Sequence, residues 1–269
     1  MLITFVGGGN MATALISGLR HPPDAQLRIR VVDPNPEARR RLEATFEVKT
    51  FETPMPAVVG ADVIVLAIKP QNMSTVLSQL QAAVRPEQLL LSIAAGTTIC
   101  RIKQACGTGQ AVVRAMPNTP ALVGHGITGV YAAPDCSEHH LAQAERILCA
   151  TGEVIWVSEE SLLDAVTAIS GSGPAYFFLL TEALAAAARE LGLSGETADR
   201  LAAQTCFGAG AMVANNVKGV ADLRRRVTSP GGTTEAAMAV FYEAGFSELV
   251  LRAATRARDR SRELAGDES

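Results

Sequence analysis

Hydroxyl and glycine residues crowd one short stretch near the end of the chain, V-T-S-P-G-G-T-T at residues 227 to 234. Thr228 or Ser229 can act as a helix N-cap, Pro230 starts a turn, and Gly231 and Gly232 leave backbone N–H groups uncovered. Thr233 and Thr234 then place hydroxyls on the first helical turn. Exposed N–H groups and the positive end of the helix dipole make this an anion site without net positive charge. The stretch S-G-S-G-P at 170 to 174 repeats the device, with Ser172 just ahead of Pro174. Two such loops in one helical region predict a site for a small-molecule carboxylate.

A third glycine loop opens the chain. Gly7-Gly8-Gly9-Asn10-Met11-Ala12 fits G-x-G-x-x-A between an apolar run and a helical pattern. In that setting Gly7 makes the tight turn, Gly9 lets the backbone approach a pyrophosphate, and Ala12 packs helix on strand. Asn10 and Met11 start the helix whose N–H groups would face the phosphates. The local residues therefore predict a dinucleotide. Asp33, at the end of the second apolar run, stands where an acid bonds a ribose 2′-hydroxyl and favours NAD. Asn35, Arg39 and Arg40 follow it and can supply contacts to a 2′-phosphate, so NADP stays open. Ala67-Ile68-Lys69 and Ala94-Ala95-Gly96 fall at strand ends, where ligands bind in open α/β sheets, and Lys69 reads as a donor to ribose or phosphate. Asn118, inside M-P-N-T-P, forms a rigid polar corner that can face a nicotinamide or simply cap a turn.

These residues need elements to hold them. Strand-like runs at 2–7, 27–33, 61–70, 88–96 and 111–120 alternate with helical spacing at 10–20, 36–46 and 73–84. Continuous apolar strands separated by helices predict a doubly wound, Rossmann-like parallel sheet over residues 1–157. From Ser158 the pattern is almost all helix, so residues 158–269 form a second, all-α domain. The helix from Pro174 to Leu191 is apolar nearly all round, which predicts burial, plausibly against a second subunit. With 48% hydrophobic and 19% charged residues the chain can bury a sizeable core.

A net charge of -3 gives no reason to invoke nucleic acid, and Arg224, Arg225 and Arg226 read as a solvated helix face. Thr181 and Glu182 cut the most apolar stretch short of a membrane span. Five scattered cysteines suit free thiols in a reducing compartment, and the apolar N-terminal stretch is too short for a signal peptide. No metal-ligand spacing stands out, and a cytoplasmic enzyme is expected.

Six segments share an order with one family. G-G-G-N-M-A, A-I-K-P-Q, S-I-A-A-G, M-P-N-T-P-A, D-A-V-T-A-I-S-G-S-G-P-A-Y and V-T-S-P-G-G-T-T-E-A-A together resemble the pyrroline-5-carboxylate reductases of proline biosynthesis. The resemblance runs the whole chain, and its last two segments are highly specific. It implies a Rossmann domain followed by a helical dimerisation domain, in dimers that assemble further. It implies NADPH as cofactor, with NADH accepted by some members. Gly7 to Met11, Ala67 to Lys69 and Ala94 to Gly96 would then contact the cofactor. Gly231, Gly232, Thr233 and Thr234 would bind the substrate carboxylate across the dimer, with the Thr234 hydroxyl reaching the ring nitrogen.

The chemistry suits the residues present. Carbonyl reduction needs a positioned acid such as His, Lys or Tyr. The loop at 227 to 234 contains none, and His21, His125, His139 and His140 fall outside every motif. An imine nitrogen is basic enough to arrive protonated, or to take a proton through a weak donor such as Thr234 or water. Two alternatives remain. A β-hydroxyacid dehydrogenase shares the two-domain plan but needs a catalytic lysine in its second half, where this sequence has Lys218 alone. A non-catalytic NADP sensor would bind cofactor without turnover.

Overall fold

The computed structural model describes residues 1–21, 24–215 and 219–266, and Lys218 lies outside the described residues. They form two compact units, one of residues up to 172 together with 257–266, the other of residues from 173 to 256. The change of composition at Ser158 and this boundary at Ser172 are thus different features of the chain. Each unit is described by itself.

The first unit is built on an eight-stranded sheet in the order β3-β2-β1-β4-β5-β6-β7-β8. Its strands are β1 (Leu2–Val6), β2 (Arg28–Val32), β3 (Lys49–Phe51), β4 (Val63–Leu66), β5 (Leu89–Ser92), β6 (Val112–Met116), β7 (Gly126–Ala132) and β8 (Gly152–Trp156). Every pairing is parallel except β6 with β7, so the sheet is mixed rather than wholly parallel. β1 and β4 are buried along their whole length, because helices cover both faces. One core cluster gathers Ile3, Phe5, Leu15 and Val65, and the other gathers Leu66, Met73, Leu77 and Leu90.

Helices α1 (Asn10–Leu19), α2 (Pro36–Phe46), α3 (Pro54–Val58), α4 (Pro70–Leu80), α5 (Ile99–Cys106), α6 (Glu138–Leu148) and α7 (Leu162–Val166) belong to this unit. α2 shows how locally its bounds are set. Asn35 accepts N–H bonds from Glu37 (2.9 Å) and Ala38 (3.5 Å), Pro36 takes the first position, and Glu47 closes the helix at φ 52°.

Ser261 and Arg262 are tied down within the same unit. Ser261 Oγ donates to Asp164 at 2.6 Å, and Arg262 lies 3.7 Å from the same carboxylate. Glu160 accepts from Ile99 N–H at 2.8 Å and pairs with Arg114 at 2.5 Å.

The second unit is helical, holding α8 (Gly173–Glu190), α9 (Gly195–Ala214), α10 (Val220–Arg226), α11 (Thr233–Glu243) and the start of α12 (Phe246–Ala265). α8 is largely uncovered by its own chain. Its buried residues are Gly173 and Ala185, while Phe177, Phe178 and Leu179 are about two-thirds exposed. The helical run Leu162–Glu190 is long and apolar enough by composition to cross a membrane, though the Thr181–Glu182 interruption predicted otherwise. Among the described residues no group of three His, Cys, Asp or Glu side chains is placed to hold a metal.

Candidate active site

The first glycine loop joins β1 to α1 and adopts the geometry its sequence demands. Gly7 sits at φ 106°, and a Cβ there would overlap the carbonyl oxygen of Ala67, so only glycine fits. A Cβ on Gly9 would meet nothing within 4 Å; that glycine faces open space. Gly9 is also the N-cap of α1 and offers no side-chain cap, which leaves the N–H groups around Asn10 and Met11 for an anion. A cleft of about 610 Å³ opens here, lined by Gly7, Gly9, Asp33, Ala67, Ile68 and Lys69 among others. The β1, β2 and β4 ends thus bring together predicted residues far apart in sequence. The open cradle beside an uncapped helix N-terminus fits a dinucleotide pyrophosphate.

Three predicted contact residues have other work. Asp33 accepts from Gly8 N–H at 2.9 Å through one oxygen and from Asn35 N–H at 2.8 Å through the other, so both oxygens hold the glycine loop and the turn after β2. The Asn35 side chain is spent on capping α2. Asn118 is buried, donates to the Ser170 carbonyl at 3.1 Å and accepts from Ile127 N–H at 2.9 Å. It fastens β7 to the S-G-S-G segment.

Ala94 lies in the core, and Gly96 faces the backbone of Leu264. Arg39 is held by the carbonyls of Asp33 (2.7 Å) and Pro34 (3.0 Å), with its other nitrogen 3.6 Å from Glu52. Glu52, Thr53 and Asn72 also line the cleft. Sequence reasoning missed them, because the three-residue β3 that carries the chain to Glu52 gives almost no periodic signal.

The second glycine loop connects α10 to α11 within the helical unit. Gly231 stands at φ 71°, a left-handed turn that glycine adopts without strain. The N-cap of α11 is Gly232, not Thr228 or Ser229. Thr228 Oγ1 donates back to the Arg224 carbonyl at 2.7 Å, and the Ser229 carbonyl accepts from Gly232 N–H at 3.0 Å. Both residues are occupied in closing α10 and forming the turn. Gly232 has no side chain to cap with, so the first turn of α11, with Thr233 and Thr234, keeps its N–H groups for a ligand.

Glu235, unread in the sequence, accepts from Gly231 N–H at 2.7 Å and fixes the loop's shape. A groove of about 440 Å³ beside the loop is lined by Arg224, Arg225, Thr228, Glu235 and Tyr242. The arginine run is therefore partly engaged: Arg226 pairs with Asp222 at 2.8 Å, and Arg224 lies over the Tyr242 ring. Ser172 closes the short π-helical turn Thr167–Gly171 through its N–H, bonded to the Thr167 carbonyl at 2.8 Å.

Comparison with known proteins matches this layout. Residues 160–264 match the family model described as pyrroline-5-carboxylate reductase dimerisation. Residues 2–96 match one described as NADP oxidoreductase, coenzyme F420-dependent. The pyrroline-5-carboxylate reductase of Pseudomonas aeruginosa is 48% identical over 98% of this chain and 96% of its own. A solved pyrroline-5-carboxylate reductase from Coxiella burnetii superposes with TM-score 0.92 at 40% identity, covering 98% of both chains. The Plasmodium falciparum enzyme, solved with NADP bound, superposes with TM-score 0.85 at 27% identity, again over 98% of both chains. A self-associating helical domain and a small-molecule substrate go with these matches. The chain belongs to the pyrroline-5-carboxylate reductase family.

Proposed function

We propose that the protein reduces 1-pyrroline-5-carboxylate to L-proline with NADPH, NADH also serving. Family membership along the whole chain carries this reading, and the two uncapped helix N-termini support it chemically. Bound nicotinamide cofactor would supply the hydride to the imine carbon. The C=N double bond becomes a single bond, and the nitrogen finishes as an amine with the proton it carried or received.

The chain's own residues bind and orient. The Gly7–Met11 turn and Ala67 to Lys69 hold the dinucleotide, with Asp33 fixing the loop from below. Gly231, Gly232, Thr233 and Thr234 hold the substrate carboxylate on the α11 N-terminus, with Ser229 shaping the turn and Ser172 placed in the other glycine loop. Thr234, half-buried on the first turn, orients the ring nitrogen through its hydroxyl. A group this weak is enough because the imine nitrogen is already basic, so positioning and exclusion of water do most of the work.

The assembly would be a homodimer, or a larger oligomer of dimers, with the apolar side of α8 inside it. A cytoplasmic location without nucleic-acid or membrane partners fits a biosynthetic enzyme of net charge -3. The direct test is product analysis with cofactor deuterated at the transferring position. One deuterium at the former imine carbon of proline is expected. Proline without deuterium, or no proline, would refute the reading. The sensor alternative predicts cofactor binding without product.

A further inference from the structure

We propose that Glu52 sets cofactor choice: its carboxylate weakens binding of an adenine-ribose 2′-phosphate and keeps NADH competitive with NADPH. The inference rests on the reading of the β1–α1 cleft as the dinucleotide site. In this fold the adenine ribose lies beside the end of the second strand, at Asp33. Two carboxylates line the cleft there, Asp33 and Glu52, yet they are not equivalent.

Asp33 has an N–H donor on each oxygen, from Gly8 at 2.9 Å and Asn35 at 2.8 Å, and is spent on holding the loop. Glu52 keeps a 73% exposed side chain and a loose ion pair with Arg39 at 3.6 Å. Its carboxylate is free to accept from a ribose hydroxyl, and equally free to repel a phosphate.

Arg39 and Lys69 offset it only in part. Arg39 is held at one nitrogen by the carbonyls of Asp33 (2.7 Å) and Pro34 (3.0 Å), and its other nitrogen faces Glu52 at 3.6 Å, so its charge is already shared with that carboxylate. The backbone N–H groups that could have cradled a phosphate are also taken: Asn35 N–H by Asp33, and Glu37 and Ala38 N–H by the Asn35 side chain. Lys69 is the cation lining the cleft, and it caps α4 at the end of β4 rather than standing at the β2–β3 ends with the two carboxylates. A 2′-phosphate carrying close to two negative charges would therefore meet a wall with Glu52 on it and little to offset it.

The test measures dissociation constants for NADPH and NADH by nicotinamide fluorescence, on the full chain and on Glu52→Gln and Glu52→Lys. Removing the charge should tighten NADPH roughly fivefold while NADH stays within about twofold, and the lysine should shift the ratio further the same way. The gain should shrink in 1 M salt, where charges are screened beyond about 3 Å; a merely structural effect would not. An unchanged NADPH-to-NADH ratio in both variants, or equal shifts for both cofactors, would overturn the proposal while leaving the reductase intact. Failure of the unaltered protein to bind either cofactor would overturn the cleft assignment, and the proposal with it.

Discussion

The two units solve the burial problem in opposite ways. The sheet unit closes a core of its own: Ile3, Phe5, Leu15, Val65, Leu66 and Met73 are all fully buried. In the helical unit the fully or nearly buried residues of α8 and α9 are small, Gly173, Ala185, Ala198 and Ala202, while Phe178 and Phe207 are more than 65% exposed. A soluble monomer does not keep apolar surface of that kind uncovered. One unit holds a core of large side chains, while the other leaves its large apolar side chains exposed in the single chain and belongs to a segment matched by a dimerisation family. The division also separates the two glycine loops: the first sits on the buried core of the sheet unit, the second on helices with mostly exposed apolar side chains.

The largest expected effect breaks this contrast directly. Phe178→Glu puts a charge into the face that association covers, so the assembly should weaken at least about a hundredfold, since an unpaired buried charge costs several kcal/mol. Sedimentation would show the shift to monomer. The helical unit should then melt before the sheet unit, and the concentration dependence of melting expected of the unaltered protein should disappear.

Gly7→Ala strikes the other unit. The new Cβ overlaps the Ala67 carbonyl at a φ of 106°, so stability should fall by about 2 kcal/mol and cofactor affinity by roughly a hundredfold, with the assembly unchanged. Calorimetry and a cofactor titration separate the two losses.

Thr234→Ala is milder, lowering kcat by about tenfold to a hundredfold with cofactor affinity intact, because a weak orienting hydroxyl is lost rather than a strong acid. A variant reduced to the uncatalysed rate at every pH would contradict that assignment.

The smallest effect concerns a thiol packed against the sheet-unit core. Burial pushes the Cys106 thiol up to about 11 from an ordinary 9.0. The fold therefore favours the neutral thiol, and the stability this supplies is complete below about pH 9 and lost as pH rises towards 11. Over that window the unaltered protein should lose stability more steeply than Cys106→Ala, as urea titrations at successive pH values would show.

What the sequence revealed follows the same line between local and non-local causes. α2 was legible residue for residue, since Asn35 and Pro36 define its start by themselves. β1, the Gly7 turn and the uncapped α1 were legible because turn, strand and helix signals coincide within a dozen residues. β3, β7 and β8 were not predicted: the first has three residues, and β7 opens on glycine and runs antiparallel to β6, which no local period announces.

Site residues divide likewise. Asp33, Asn35 and Asn118 were singled out, but their bonds to Gly8, Glu37 and Ser170 were not, because those bonds depend on where the turns and the S-G-S-G segment fold. Glu235 was overlooked because a glutamate in a first helical turn looks like an ordinary dipole partner until its bond to Gly231 is seen. The all-round apolar pattern of α8 was legible and already pointed to burial with a second subunit as a candidate cover; the degree of its exposure in one chain was not, since a buried helix has the same pattern whichever chain covers it.

The most direct test of the central claim, that one glycine loop holds a dinucleotide and the other the carboxylate of what it reduces, is loss of nicotinamide absorbance with 1-pyrroline-5-carboxylate. It would be run in parallel with NADPH and NADH. The account predicts turnover with both, and a ratio that Glu52→Gln moves towards NADPH. Cofactor binding without turnover in either arm would contradict it, severing the second loop from the first.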